Sequence, residues 1–184
     1  ITSGGISPVI LASAPEGGVY LVGWATRTNT HNDILIQRYD STGTMLWERY
    51  HRGISGRFED YPTDAVSDNA GNLYVAGTVV NNSTDWDAAI LKYSPDGSLL
   101  WYDHYDYPQA TPTLETPNHI RVTARQEVIV AGAVVLGASA SGGHWMLRKY
   151  SEEGVLLWSL ITPATGSAIT LSKGFEIDRD GNSY

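Results

Sequence analysis

The chain repeats itself with a period of about 55, and this constrains its fold more than any other feature. Three segments share one pattern: YDSTGTMLW (Tyr39 to Trp47), YSPDGSLLW (Tyr93 to Trp101) and YSEEGVLLW (Tyr150 to Trp158). Gly23 in VYLVGW, Gly77 in LYVAGT and Gly132 in VIVAGA keep the same period. The first two copies superimpose without a gap, Pro8 falling on Pro62, Tyr20 on Tyr74 and Asp33 on Asp87. The third copy is slightly longer, the extra length falling in the loop Gly137 to Gly143 (GASASGG). A fourth copy opens at Ser172 and runs to DRDGNSY, where Tyr184 falls on Tyr74.

Each period parses into four short strands. In the second copy one strand runs from about Pro62 to Ser67, DNAG makes a turn, and Asn72 to Val80 follows as NLYVAGTVV. After NNSTDW a third strand spans Asp87 to Ser94, PDG turns the chain, and a fourth spans Ser98 to Tyr105. One four-stranded sheet cannot cover both its faces, so copies must stack, and this period is that of β-propeller blades. Helical repeats would need a 3.6-residue rhythm that the chain lacks. The expected fold is therefore all-β, a β-propeller of four-stranded antiparallel blades, with three full repeats and the start of a fourth. Residues 1–184 read as a single propeller segment with repeats at about 7–60, 61–115, 116–171 and 172–184. Three blades and a fraction fall short of the four to eight that close a ring, so the segment is expected to belong to a larger propeller. Pairing of two copies, or a distorted four-bladed ring, are the other ways to cover its ends.

The runs GNLYVAG and DAAILKYSPDGSLLW resemble the β-propeller repeats of secreted bacterial proteins, the SBBP-type family, and YDSTGTMLW is similar to the tryptophan-docking repeats of quinoprotein-like propellers. The resemblance covers nearly the whole chain. It implies a propeller architecture and a secreted or cell-surface bacterial protein. The third copy departs from the pattern, with Gln126 and Glu127 in place of Gly71 and Asn72, and His144 in place of Asp87.

Charge narrows the partners. Twenty acidic against twelve basic side chains give a net charge of −8, which opposes a phosphate backbone, so nucleic acid is not an expected partner. The most apolar window, Glu127 to Leu136, is far shorter than the roughly 20 residues of a membrane helix. No membrane span is expected. The opening ITSGGIS has neither a positive region nor a long apolar core, so a signal peptide is expected to be removed or to lie outside this sequence.

The recurring residues Trp47, Trp101 and Trp158, with Tyr39, Tyr93 and Tyr150 and with Gly23, Gly77 and Gly132, read as structure, because large aromatics repeated in every blade contribute most between sheets. Arg38, Lys92 and Lys149 are expected to lay their stems along that aromatic surface. Function is expected where the repeat breaks. The richest such place is YDHYDY, where Tyr102, His104, Tyr105, Asp106 and Tyr107 are candidate ligand-binding residues, suited to a sugar or peptide by stacking and hydrogen bonding. Arg57, Glu59 and Asp60, and Glu115, His119 and Arg121, are further irregular charges that read equally well as solvated loops. Asp33 and Asp87 read as turn caps. Asp178 and Asp180 in DRDGN superficially match the opening of a calcium loop, yet no downstream Glu completes it, so they are weak metal candidates and a hairpin turn is favoured.

No nucleophile elbow, zinc-protease or P-loop pattern occurs, and the five His residues form no close pair. No catalytic residues and no cofactor are assigned. The sequence thus points to a non-catalytic extracellular or cell-surface module for protein interaction or scaffolding, its partners being other chains or the remaining blades. The alternative is a carbohydrate-binding or carbohydrate-active propeller with a glycan ligand.

Overall fold

The computed structural model describes residues 6–26, 31–53, 59–80, 86–108, 113–136 and 143–162. Loop Gly137 to Gly143 lies almost wholly outside them, as do Arg57, the fourth copy, Asp178 and Asp180. The described residues form three antiparallel sheets of four strands, each a simple up-and-down meander. The first holds β1 (Ile6–Ser13), β2 (Val19–Thr26), β3 (Asn32–Tyr39) and β4 (Met45–His51). The second holds β5 (Tyr61–Ser67), β6 (Leu73–Val79), β7 (Asp87–Tyr93) and β8 (Leu99–Tyr105), and the third β9 (Thr113–Val122), β10 (Val128–Leu136), β11 (Gly143–Tyr150) and β12 (Leu156–Ile161). The strands of the second sheet lie within one residue of the bounds read from the sequence. No α-helix occurs among the described residues, and none of their helices is long and apolar enough to cross a membrane.

Why strands form here is visible in the turns. The third and fourth strands of each sheet join through a turn closed by Gly43, Gly97 or Gly154, all with φ near +82° to +83°, a backbone conformation glycine adopts without steric cost. In the third sheet the β9 to β10 turn keeps the same left-handed residue although Gln126 (φ 62°) stands where the second has Gly71 (φ 84°). The repeat therefore preserves the conformation through a change of residue. Gly23, Gly77 and Gly132 each sit opposite a proline, Pro8, Pro62 and Pro117, beside a register shift in the ladder. Proline donates no ladder hydrogen bond and is tolerated at such a bulge on an edge strand.

The core lies between the sheets. Tyr20, Val22, Ile34 and Ile36 of the first sheet pack against Leu73, Val75, Leu91 and Tyr93 of the second. On its other face the second sheet sets Tyr74, Ala76 and Ile90 against Ile120, Val130 and Tyr150 of the third. Covered on both sides, β6 and β7 are buried at every residue, polar Asp87 and Lys92 included. By contrast β2 alternates, and β12 is exposed along nearly its whole length. Polar links reinforce the stack: the Tyr20 hydroxyl donates to the Gly71 carbonyl at 2.6 Å, and Asp64 accepts from the Ile120 amide at 3.0 Å and from Arg121 at 2.7 Å.

Candidate functional site

The alternation of β8 divides the YDHYDY run between two interfaces and the solvent. Tyr102 faces the first sheet, its ring 4.7 Å from that of His51. Tyr105 faces the third, 4.1 Å beneath the Arg148 guanidinium, and burial raises its hydroxyl pKa. Arg148, itself buried, also meets Asp103 at 3.6 Å and donates to the Tyr150 hydroxyl at 2.7 Å. His104 is exposed and stacks at 5.9 Å on Tyr102, while Tyr107 lies 5.5 Å from His144. The five candidates therefore do not converge on one surface.

Asp106 belongs to a different grouping. One carboxylate oxygen from each of Asp87, Asp106 and Glu115 lies within 4.8 Å of the others, with Asp87 and Glu115 buried and Asp106 exposed. The chain builds this cluster where two sheets meet: Trp86 bridges in parallel to Leu114, the Glu115 amide donating to the Trp86 carbonyl at 2.8 Å, so Asp87 and Glu115 fall side by side. Hard oxygen ligands at this spacing suit a divalent cation.

The same corner one sheet earlier is built differently. Asp33, Arg52 and Asp60 occupy the matching positions, each one repeat before its counterpart. Arg52 makes a two-pronged contact with buried Asp33, Nε to Oδ1 at 3.1 Å and Nη2 to Oδ2 at 3.3 Å, and this pairing raises the guanidinium pKa further. Asp60 accepts from the Gly53 amide at 2.7 Å and the Val80 amide at 3.1 Å, yet burial dominates and pushes its carboxyl up to about 6. Nearby His51 is pushed down to about 4 by burial, against the pull of Asp33. Where the first corner carries a built-in cation, the second carries Asp106.

The recurring tryptophans form a joint that occurs at both interfaces. Trp47 lies over the β7 to β8 turn: its Nε1 donates to the Pro95 carbonyl at 2.9 Å, Arg38 donates to the same oxygen, and a Cβ on Gly97 would stand 2.9 Å from the indole. Trp101 repeats this on the third sheet, Nε1 donating to Glu152 O at 2.9 Å beside Lys92 Nζ at 3.1 Å, with a Cβ on Gly154 only 2.7 Å from the ring. Arg38 and Lys92 thus act on the neighbouring turn as well as along the aromatics, whereas Lys149 meets Glu127 of its own sheet at 2.8 Å. Trp158 is 44% exposed. Of the repeated tyrosines, Tyr93 and Tyr150 are buried, Tyr93 with its pKa pushed up to about 12, while Tyr39 is half-buried and donates to Gln37.

One aromatic grouping has no counterpart in the repeat. Trp24, Tyr61 and Trp86 form a row, Tyr61 edge-on to Trp24 at 5.8 Å and stacked with Trp86 at 5.8 Å and 16°. The Tyr61 hydroxyl donates to Glu59 and accepts from Asn32 Nδ2 at 3.0 Å. These three residues come from three separate places in the chain, so no local motif announces them. The acidic cluster did have a signal, the change from Arg52 to Asp106 at matching repeat positions. No protein-family model matches the chain, and no curated protein matches it.

Proposed function

We propose that the chain is a β-propeller segment that serves, without catalysing a reaction, as an interaction and scaffolding module of a secreted or cell-surface bacterial protein. The observation that carries this reading is the tryptophan joint. The most recurrent residues of the sequence fasten one sheet to the turn of the next, and the irregular YDHYDY run is largely spent on the same interfaces. Removing an indole that is half-buried against a turn costs on the order of 2–3 kcal/mol. Trp101→Ala is therefore expected to lower the thermal midpoint by several degrees, whereas His104→Ala, on an exposed position, leaves it nearly unchanged. Equal midpoints for Trp101→Ala and wild type would sink the reading.

A second reading, glycan binding, is favoured by the row of Trp24, Tyr61 and Trp86 with polar Asn32 and Glu59 beside it, since sugar rings stack on such platforms. Trp86, 36% exposed, offers the accessible ring. Affinity electrophoresis through gels containing soluble polysaccharides would show retardation, abolished by Trp86→Ala. Unaltered mobility in every polysaccharide removes this reading.

A further inference from the structure

The two corners between successive sheets share one backbone plan and differ in charge. The Asp60 amide donates to the Asn32 carbonyl at 2.8 Å, and the Glu115 amide donates to the Trp86 carbonyl at the same distance, so one link sets the second acid of each corner beside Asp33 or Asp87. In the first corner Arg52 lays its guanidinium on Asp33. In the second, Asp106 takes the position of Arg52, and three carboxylate oxygens lie within 4.8 Å of one another. Arg148, which shares this interface, is turned to Asp103, Tyr105 and Tyr150. The stretches of sequence that adjoin the strands meeting here, 81–85, 109–112 and 137–142, contain no Lys or Arg. Buried carboxylates in native proteins are paired with cations or coordinate metals.

A neutral group points into the same place. Trp86 and Leu114 are in register across the bridge and face outward, at 36% and 37% exposed, so alternation turns Asp87, Glu115 and Thr113 inward together. Thr113 is 5% exposed, and its Oγ1 has no hydrogen-bond partner among the described residues. A buried oxygen in that state marks a place that an ion or water completes.

We propose that Asp87, Asp106 and Glu115 bind one calcium ion, with Thr113 on its buried side and water on the side opened by Asp106. Calcium takes oxygen ligands at roughly 2.3–2.6 Å in a flexible shell, and oxygens on opposite sides of it stand about twice that far apart, so the three carboxylate oxygens fit one shell. The ion joins β7 and the end of β8 to β9, and so ties the second sheet to the third. This goes beyond the scaffolding reading and uses no residue of the tryptophan joint.

Thermal unfolding in millimolar calcium chloride against EDTA tests the site. Wild type is expected to gain roughly 5 °C in midpoint with calcium, and potassium chloride of equal ionic strength to give no such gain. Asp106→Arg supplies a guanidinium in place of the ion, so its midpoint in EDTA is expected to be no lower than that of wild type and to ignore calcium. Glu115→Gln keeps the shape and removes a ligand charge, so its gain is expected to shrink. Terbium, which takes the same hard oxygen ligands, is expected to show emission sensitised by the neighbouring Trp86 indole, displaced by calcium and lost with Asp106→Arg. A midpoint that calcium leaves unmoved, a gain matched by potassium chloride, or an equal gain in Asp106→Arg overturns the proposal.

Discussion

At the scale of single residues, the corner between the first two sheets holds two titrating groups that oppose each other. His51 has a folded pKa of about 4 against an ordinary 6.5, so the unfolded chain takes up a proton first. Its contribution is fully present above pH 6.5 and is lost as pH falls toward 4. Asp60 has a folded pKa of about 6 against 3.8, so the folded chain takes up the proton first and gains stability as pH falls from 6 toward 3.8. At about 1.4 kcal/mol per unit, each change amounts to roughly 3 kcal/mol across nearly the same window. They largely cancel. Relative to wild type, His51→Gln is expected to gain stability between pH 6 and 4 and Asp60→Asn to lose it, read as denaturant midpoints at intervals across that range. Parallel pH profiles for all three proteins would rule out the compensation. The next corner offers a simpler test. Asp106→Arg places a guanidinium where Arg52 stands one repeat earlier, and is expected to stabilise by about 1 kcal/mol in the presence of a chelator. A drop in midpoint would mean that the acidic corner is already balanced.

At the scale of the element, the turn and the tryptophan that covers it act as one unit. Gly154→Ala combines a disfavoured φ of +83° with a Cβ 2.7 Å from the Trp101 ring, whereas Gly43→Ala has a φ of +82° and open space. The first is expected to cost about 1 kcal/mol or more beyond the second in chemical denaturation of the isolated chain. Equal losses would show that the indole yields without cost. The strands themselves were legible in the sequence, because left-handed turn glycines and period-two alternation mark their ends, and a repeat that is gapless between the first two copies and lengthened only in a loop of the third turns one good strand into three. The sharing of YDHYDY between two interfaces follows from alternation as well, once β8 ends at Tyr105. What the sequence did not reveal was convergence. Asp87 and Asp106 adjoin through the β7 to β8 hairpin, but Glu115 reaches them, and Trp24, Tyr61 and Trp86 come together as a row, only through the stacking of separate sheets, which no spacing along the chain encodes.

For the whole molecule, stacked repeats make stability a sum of sheet terms and joint terms, with each sheet touching only its neighbours. The second sheet is held on both faces, since β6 and β7 are buried throughout, while β12 of the third is exposed at nearly every position. Opening of the third sheet breaks one described interface, but opening of the second breaks two. In native-state hydrogen exchange, amides of β6 and β7 are therefore expected to exchange only through the largest opening, and those of β11 and β12 through a smaller one. The joints predict how a substitution redistributes that order. Trp101→Ala weakens the contact between the second and third sheets, so it is expected to accelerate exchange in β11 and β12 while leaving the first sheet near its wild-type rates. Trp47→Ala is expected to do the reverse, loosening β3 and β4. Acceleration by either substitution spread evenly over all three sheets would show a single cooperative unit, in which the joints transmit stability through the stack instead of partitioning it.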